Sequence, residues 1–171
     1  LTGRPGDRMT VVDRFYRGRE YRLVDLVYGA PPLRDRPRDA PVELPANTMP
    51  EPDAAAATRT EIVLGGGMMG RMTSATVDGK PMDMRAMMHD GLVWAINGVA
   101  ARGHVMEPLL MLERGGSHIL ALHNDTAWHH PMHLHGHSFR VISRDGVATP
   151  RREWQDTVLL GKQERAEIAF V

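Results

Sequence analysis

The sequence predicts an all-β fold, built as a sandwich or barrel of short strands. Three observations lead to this prediction. Short apolar segments rich in β-branched residues recur along the chain, turn residues separate them at near-regular spacing, and no long helical periodicity interrupts them. With 171 residues, the chain is long enough to bury a sizeable core.

A proline-rich segment divides the predicted strands into two groups. The first group contains REYRLVDLVYG at 19–29, where apolar and charged residues alternate. The segment at 30–53 then holds seven prolines in 24 residues. Prolines at this density exclude a helix and a central strand, so we expect an extended linker. The linker predicts a division of the chain into two domains, 1–54 and 55–171.

Beyond the linker, six segments have strand patterns and one has a helical pattern. The strand segments are 60–67, 91–98, 107–125, 138–146, 154–161 and 165–171. Within the third, Gly115–Gly116 stands between LLMLER and SHILALH, which predicts a hairpin turn. The helical pattern lies in MDMRAMMHD at 82–90, where Met84, Met87 and Met88 follow the i, i+3, i+4 spacing.

The composition narrows the possible partners. Lysine plus arginine and aspartate plus glutamate both number 21, so the formal net charge is zero. We therefore expect no nucleic-acid or anionic-membrane partner, because either favours a basic surface. No apolar run approaches the roughly 20 residues of a membrane span. The chain begins without a basic and apolar leader, so we expect an export signal to be absent or already removed. Cysteine is missing, which leaves no disulfide and no thiolate ligand in these residues.

Five of the nine histidines lie within nine positions, in AWHHPMHLHGHSF at 127–139. His133 and His135 are two apart, so an extended segment directs both rings to one face, whereas His130 points to the other. The segment can therefore contribute to two metal centres, one on each side of a single strand. We expect Gly136 to let the backbone or a neighbouring ring approach closely.

The residue types leave the metal open. Neutral imidazole suits copper, zinc, iron and nickel, and no thiolate is present to select among them. One hypothesis is a mononuclear zinc or iron β-barrel enzyme that uses His130, His133 and His135. Such a site calls for a carboxylate a few residues after the HxH pair, and the first acid here is Asp145, which disfavours it. Another hypothesis is a non-catalytic module that binds and sequesters copper.

Several segments together resemble the last cupredoxin domain of the multicopper oxidases, the family of laccases and bacterial copper-tolerance oxidases. The resemblance is carried by LVWAING (92–98), the Pro-containing segment at 108–112, LALHNDTAWHHPMHLHGHSF (120–139) and WQDTVLLGKQERAEIAFV (154–171). It covers essentially all of 58–171, while 1–53 is similar in style to the tail of the preceding domain. It implies a cupredoxin-like Greek-key β-sandwich that is incomplete at both ends. The subtype it most resembles is the bacterial, methionine-rich copper-tolerance branch.

The resemblance also implies a role for individual residues. His130 would bind the mononuclear type 1 copper, His133 the type 2 copper and His135 one of the paired type 3 coppers. A reducing substrate, either cuprous ion or a phenol-like donor, would give electrons to the type 1 copper, and O₂ would be reduced to water at the three-copper cluster. Asp156 would orient a ligand through a hydrogen bond, with a strand-end cap as the alternative. His137 has no ligand role in the family pattern and would support the site by packing or hydrogen bonding.

The family completes its type 1 site with a cysteine and a second histidine shortly after the IAFV strand, and its first domain supplies further HxH pairs. Because these 171 residues end at Val171 without a cysteine, we expect a fragment of a longer enzyme. The missing N-terminal domain and C-terminal Cys/His segment would then be its partners, and the fragment alone would have little or no oxidase turnover. The resemblance further implies a periplasmic or secreted location.

A methionine-rich segment at 68–88 holds seven of the twelve methionines. Several thioethers together suit Cu(I), and the resembled branch uses such segments beside the type 1 site to capture cuprous ion as a substrate. The candidate residues are Met68, Met69, Met72, Met82, Met84, Met87 and Met88. The alternative is that flexible methionines fill a core or a mobile surface, which the helical spacing of three of them also fits.

Overall fold

The computed structural model describes residues 3–31, 36, 39–103, 107–151 and 153–171. Strands dominate, which confirms the predicted all-β class. The strands are β1 (Arg8–Asp13), β2 (Tyr21–Val27), β3 (Thr58–Gly66), β4 (Ser74–Val77), β5 (Lys80–Asp83), β6 (Trp94–Ile96), β7 (Val99–Ala100), β8 (His118–Asn124), β9 (His130–His133), β10 (Phe139–Arg144), β11 (Val147–Ala148), β12 (Trp154–Gln155), β13 (Thr157–Leu160) and β14 (Arg165–Phe170). One helix lies in the described ranges, α1 (Met84–His89), and it is far too short to cross a membrane. The chain divides into two compact units, with the boundary between Asn47 and Thr48.

The first unit contains an antiparallel hairpin of β1 and β2, with an irregularity in register between Val11 and Val12. β2 lies within the predicted strand at 19–29, which confirms it, whereas the sequence patterns did not reveal β1. Within the hairpin a hydrogen bond from Thr10, together with two arginine side chains, lowers the pKa of Asp25. The described part of the linker contains no strand or helix, in agreement with the extended segment expected there. Linker residues 32–35 and 37–38 lie outside the described residues.

A large sheet forms the second unit. Its strands follow the order β11–β10–β14–β8–β3–β6–β7–β4–β5, and β12 pairs with β10 beside this path. β8 lies between β3, to which it is parallel, and β14, to which it is antiparallel. Six of the seven residues of β8 are buried, as expected for a near-continuous apolar strand covered on both faces.

The hairpin predicted at Gly115–Gly116 is wrong. A turn is present, closed by a hydrogen bond from the Gly116 N–H to the Glu113 carbonyl, but no strand precedes it in the described residues 107–113. The reason lies in the sheet: both edges of β8 are already occupied by β3 and β14, so a hairpin partner has no free edge to pair with. The side chain of His118 also reaches back to the Glu113 carbonyl at 3.0 Å, which holds the turn against the start of β8.

β9 and β13 form a separate two-stranded antiparallel sheet. The inward side chains of β13, Val158 and Leu160, are almost completely buried and join the main apolar cluster with side chains of β3, β8, β10 and β14. Half-buried Met132 of β9 packs against the same cluster. The small sheet therefore sits on the large one through a shared core, and this contact sets the position of the histidine-bearing strand.

A second, smaller apolar cluster lies under the methionine-rich segment. Its buried members are Ala75, Val77, Met87, Ala95 and Ala100. α1 begins after Asp83, whose carboxylate accepts a hydrogen bond from the Ala86 N–H at 2.8 Å, an N-cap arrangement. The predicted helical pattern at 82–90 is thus confirmed, and α1 inserts Met87 into this cluster.

Asn97 connects the turn after β6 to the backbone of β3. Its side-chain oxygen accepts from the Val63 N–H at 2.7 Å, and its side-chain nitrogen donates to the Glu61 carbonyl at 3.2 Å. Its backbone φ is +48°, a left-handed conformation in which asparagine is tolerated better than most residues. The side chain thus extends the edge of β3 beyond the last regular pairing with β6.

We predict that Asn97→Ala lowers the free energy of unfolding by about 2–4 kcal/mol, because it leaves the Val63 N–H without its partner and adds strain at a positive φ. Asn97→Gly serves as the matched control, since it loses the same hydrogen bonds without the strain and should cost about 1–3 kcal/mol. Urea denaturation of the three proteins measures both effects. Equal stability of Asn97→Ala and the unsubstituted protein would contradict the role of this side chain.

Candidate metal centre

β9 presents its alternate side chains to two different environments. In its pairing with β13, His130 lies opposite Leu160, and His133 lies opposite Thr157. The burial pattern alternates along the strand: His130 and Met132 are half-buried, whereas Pro131 and His133 are exposed. This agrees with the parity predicted from sequence, which directs His130 to one face and His133 to the other.

His133 is held through its Nδ1 atom. This nitrogen lies 2.8 Å from the main-chain carbonyl oxygen of Asp156 and 3.0 Å from the hydroxyl of Thr157. A carbonyl oxygen only accepts, so Nδ1 carries the proton and donates it. In the neutral ring the lone pair then resides on Nε2, the nitrogen directed away from β13, where a metal ion can bind it.

His135 lies just beyond the end of β9, yet its ring remains beside that of His133. The two ring centroids are 5.0 Å apart, and the planes are inclined at 64°. The expectation for Gly136 is wrong: an added Cβ would meet nothing within 4 Å, so no close approach requires a glycine there. The requirement is instead conformational, because Gly136 has φ +76°, which turns the chain immediately after the two histidines.

His130 occupies the opposite, more enclosed environment. Its ring is nearly perpendicular to the ring of Trp94, with centroids 4.7 Å apart and planes at 87°. Its Nε2 lies 2.9 Å from the hydroxyl of the fully buried Thr126. Burial, and to a smaller extent the neighbouring His129, lowers the pKa of His130, which favours the neutral ring that a metal ion requires.

A glycine-rich loop brings the start of the methionine segment close to this environment. Gly67 has φ +72°, and an added Cβ would lie 2.6 Å from the Trp94 ring and 3.1 Å from the Trp128 ring. The main-chain carbonyl of Met68 accepts a hydrogen bond from the Trp128 indole N–H at 3.3 Å. Trp128, two residues before His130, thus connects Met68 to the start of the histidine strand.

The seven candidate methionines divide into exposed and packed side chains. Met68, Met69 and Met88 are exposed, and Met69 retains 81% of its accessible surface. Met87 has no exposed surface, and Met72 and Met82 pack beside it against the small core. Met84 is half-buried in the first turn of α1. The exposed members are therefore the thioethers that solvent-borne ions can reach.

The two predicted supporting residues occupy different positions. Asp156 contacts His133 through its main-chain carbonyl, whereas its carboxylate lies 4.0 Å from Nδ1 and accepts instead from the Thr157 hydroxyl at 2.9 Å. His137 is exposed, and its ring lies against Phe170 with centroids 5.2 Å apart. This placement corresponds to the packing alternative considered for His137.

Three histidines on two faces do not surround one ion. Within the described ranges, no group of three or more histidine, cysteine, aspartate or glutamate side chains is arranged to hold a metal. The alternation of β9 gives the reason, since His130 and His133 leave the strand in opposite directions. The geometry therefore does not support a mononuclear zinc or iron site built from His130, His133 and His135.

Sequence reasoning missed the residues that hold His130. Asn124 and Thr126 are completely buried polar residues at the end of β8, and Trp94 lies on β6. Hydrophobic periodicity cannot reveal them, because they interrupt it. One feature of the sequence could have revealed Asn124 and Thr126. These two polar residues stand at the end of an apolar segment, a few residues before the histidines.

Comparisons with known proteins agree with this fold. The family model for multicopper oxidases matches residues 76–171, more than half of the chain. The multi-copper oxidase of Pseudomonas thermotolerans is 30% identical, with a TM-score of 0.58 over 88% of this chain and 31% of that one. The enzyme of Pseudomonas parafulva is 27% identical, with a TM-score of 0.55 over 85% of this chain and 31% of that one. None of the curated proteins matches.

The fold is shared more widely. The McoA multicopper oxidase of Aquifex aeolicus is 19% identical, with a TM-score of 0.60 over 98% of this chain and 34% of that one. The strands of the second unit therefore belong to a cupredoxin-like β-sandwich. The chain belongs to the multicopper oxidase family, as the sequence resemblance predicted. It spans about a third of the length of these solved relatives.

The contact between His133 and Asp156 yields a test. We predict that Asp156→Ala leaves copper binding unchanged, because the atom that accepts from His133 Nδ1 is a main-chain oxygen that the substitution keeps. The measurement is a titration of the protein with copper, followed by electron paramagnetic resonance. Were the carboxylate the true partner, affinity would fall about 10–100-fold. His133→Gln, which removes the imidazole itself, is the positive control.

Proposed function

We propose that this chain is part of a copper-dependent oxidase and comprises its final cupredoxin domain, residues 55–171, with the tail of the preceding domain, residues 1–54. The complete enzyme takes electrons from a reducing substrate at a type 1 copper and reduces O₂ to water at a cluster of three coppers. His130 serves the type 1 copper, His133 the type 2 copper and His135 one type 3 copper.

One observation carries this proposal: a single strand presents histidines to two separate environments. His130 lies half-buried beside Trp94, and His133 lies exposed beside His135. A strand rises about 3.3 Å per residue, so three residues separate the two environments by about 10 Å. This spacing suits two distinct centres in one protein and does not suit a shared ion.

The donor atoms fit copper. Imidazole is a good ligand for both copper oxidation states, and His133 keeps its Nε2 lone pair free because Nδ1 donates to the Asp156 carbonyl. The lowered pKa of His130 favours its neutral, ligating form at neutral pH. When bound, the coppers supply one-electron acceptance at the type 1 site and oxygen reduction at the cluster.

The residues of this chain contribute position and shielding. Trp94 packs against the His130 ring and so covers part of its surface. Thr157 and the Asp156 carbonyl share the Nδ1 proton of His133 and so hold its ring orientation. β13 anchors both contacts through the buried side chains of Val158 and Leu160, so the ligand strand cannot shift without opening the core.

The electron donor we propose is cuprous ion, with phenol-like compounds as the second class. Met68 and Met69 are exposed on the loop whose carbonyl contacts Trp128, and thioether sulfur prefers Cu(I). Met87 takes no part in this site, because it fills the small core. We also propose a periplasmic or secreted location, where a chain of this family meets extracellular copper and O₂.

The two histidine roles predict different spectroscopic losses in the full-length, copper-loaded protein. His130→Gln should abolish the intense blue absorption of type 1 copper and retain the type 2 signal in electron paramagnetic resonance. His133→Gln should do the reverse. Both should reduce O₂ consumption to near background. His123→Gln, on β8, is the matched control and should change neither signal.

Other outcomes would contradict the proposal. Loss of both signals in both variants would mean that the two histidines serve one centre. Copper bound by the unsubstituted full-length protein without O₂ consumption would favour a copper-sequestering module instead.

The exposed methionines predict a substrate-specific effect. Replacing Met68 and Met69 together by serine should raise KM for cuprous ion about tenfold, equivalent to ~1.4 kcal/mol of binding, and leave turnover of a phenolic donor unchanged. The hydrogen bond from Trp128 goes to the main-chain carbonyl, so the substitution leaves it in place. Met111→Ser, at a position with 91% of its surface exposed outside the segment, is the control. An equal loss with both donors would contradict a cuprous site on this loop.

A further inference from the structure

Two buried polar side chains, Asn124 and Thr126, lie between the end of β8 and the histidine strand. Neither has any exposed surface. A buried polar group is costly unless it is hydrogen-bonded, so the direction of each hydrogen bond here can be worked out from its neighbours. The result determines which nitrogen of His130 carries a proton.

The amide of Asn124 has one possible orientation. Its nitrogen lies 2.7 Å from the Trp128 carbonyl oxygen and 2.6 Å from the Gly161 carbonyl oxygen, both of which only accept. Both N–H groups of the amide are therefore donated. The amide oxygen points the other way and accepts from the Thr126 N–H at 3.1 Å. If the oxygen and nitrogen were exchanged, acceptor would face acceptor at both carbonyls, and donor would face donor at the Thr126 N–H.

The Thr126 hydroxyl has a single proton and several polar neighbours. The shortest contact, 2.7 Å, is to the Asn124 side-chain oxygen, which can only accept, so the hydroxyl proton goes there. Without it, two sets of lone pairs would face each other at that distance. The hydroxyl oxygen in turn accepts from the Trp128 N–H at 3.1 Å. The Trp128 carbonyl, 3.2 Å away, already has its donor from Asn124.

The remaining neighbour of this hydroxyl is Nε2 of His130, at 2.9 Å. Since the hydroxyl proton is used on Asn124, Nε2 must donate, and the neutral ring keeps its lone pair on Nδ1. Within the part of the chain that the structure describes, Nδ1 of His130 has no hydrogen-bond partner. It is therefore the nitrogen available to a metal ion.

We propose that Asn124 and Thr126 are positioning residues that hold His130 as the Nε2–H tautomer and so present Nδ1 to the copper. The copper part of this inference rests on the proposed function. His133, three residues along the same strand, is held in the opposite tautomer, because its Nδ1 donates to Asp156. The segment thus uses two local hydrogen-bond partners to present different nitrogens to its two centres.

The test has an apoprotein part and a copper part, both on the full-length protein. In copper-free protein labelled with ¹⁵N in its histidine rings, long-range ¹H–¹⁵N correlation identifies the protonated nitrogen of His130, with His130→Gln providing the assignment. We expect protonated Nε2 in the unsubstituted protein and in Thr126→Ser, which keeps the hydroxyl. Thr126→Val, which keeps the shape and loses the hydroxyl, should lose this preference.

In the copper-loaded protein, Thr126→Val should lower type 1 copper affinity about 10–100-fold, as is typical when a group behind a metal ligand is removed, and should shift the type 1 reduction potential. Thr126→Ser should have the type 1 copper affinity and reduction potential of the unsubstituted protein. The type 2 signal should persist in Thr126→Val, which shows that the variant is folded and that the effect is confined to the His130 side.

Two results would overturn the inference: protonated Nδ1 on His130 in the unsubstituted apoprotein, or an unchanged tautomer in Thr126→Val. A changed tautomer with unaltered type 1 copper affinity and reduction potential would instead uphold the hydrogen-bond assignment and refute His130 as the type 1 ligand. Failure of the proposed function and failure of this inference are thereby told apart.

Discussion

The position of the histidine strand depends on the buried amide of Asn124. This residue ends β8, the strand that lies between β3 and β14 in the large sheet, and its two N–H groups join the Trp128 carbonyl to the Gly161 carbonyl. One side chain therefore ties the centre of the sheet to the start of the histidine segment and to the turn between β13 and β14. Every polar atom of the Asn124 side chain has a hydrogen-bond partner. A displacement of this side chain therefore leaves a buried polar group unpaired, at a cost of about 1–3 kcal/mol.

This anchoring explains how a short, partly exposed strand can hold His130 and His133 in defined orientations. β9 has four residues and pairs with β13 alone, so its own ladder contributes little rigidity. The rigidity comes from the core beneath β13 and from the network that begins at Asn124. Pro131, on the exposed face, donates no backbone hydrogen bond, which an edge strand tolerates. Because side chains alternate along β9, this one anchored strand places His130 and His133 in two separate environments.

Much of this arrangement could be predicted from the sequence, and the errors have specific causes. The strands β3, β8, β10 and β14 follow from apolar patterning because each has a buried face, and the opposite directions of His130 and His133 follow from parity alone. The hairpin at Gly115–Gly116 failed because a local turn signal carries no information about which strand edges are free. Asn124 and Thr126 were missed because their role depends on the carbonyls of distant residues such as Gly161, which no local pattern encodes.

The methionine segment illustrates why composition and position must be considered separately. A run of thioethers suits both core packing and Cu(I) binding, and the helical spacing of Met84, Met87 and Met88 favours neither. Tertiary placement separates the two uses. The cap at Asp83 sets the start of α1, and the register of α1 buries Met87. The loop at Gly67 leaves Met68 and Met69 exposed to solvent beside Trp128. The buried thioether holds the segment against the protein, and this attachment keeps the exposed ones near the histidine strand.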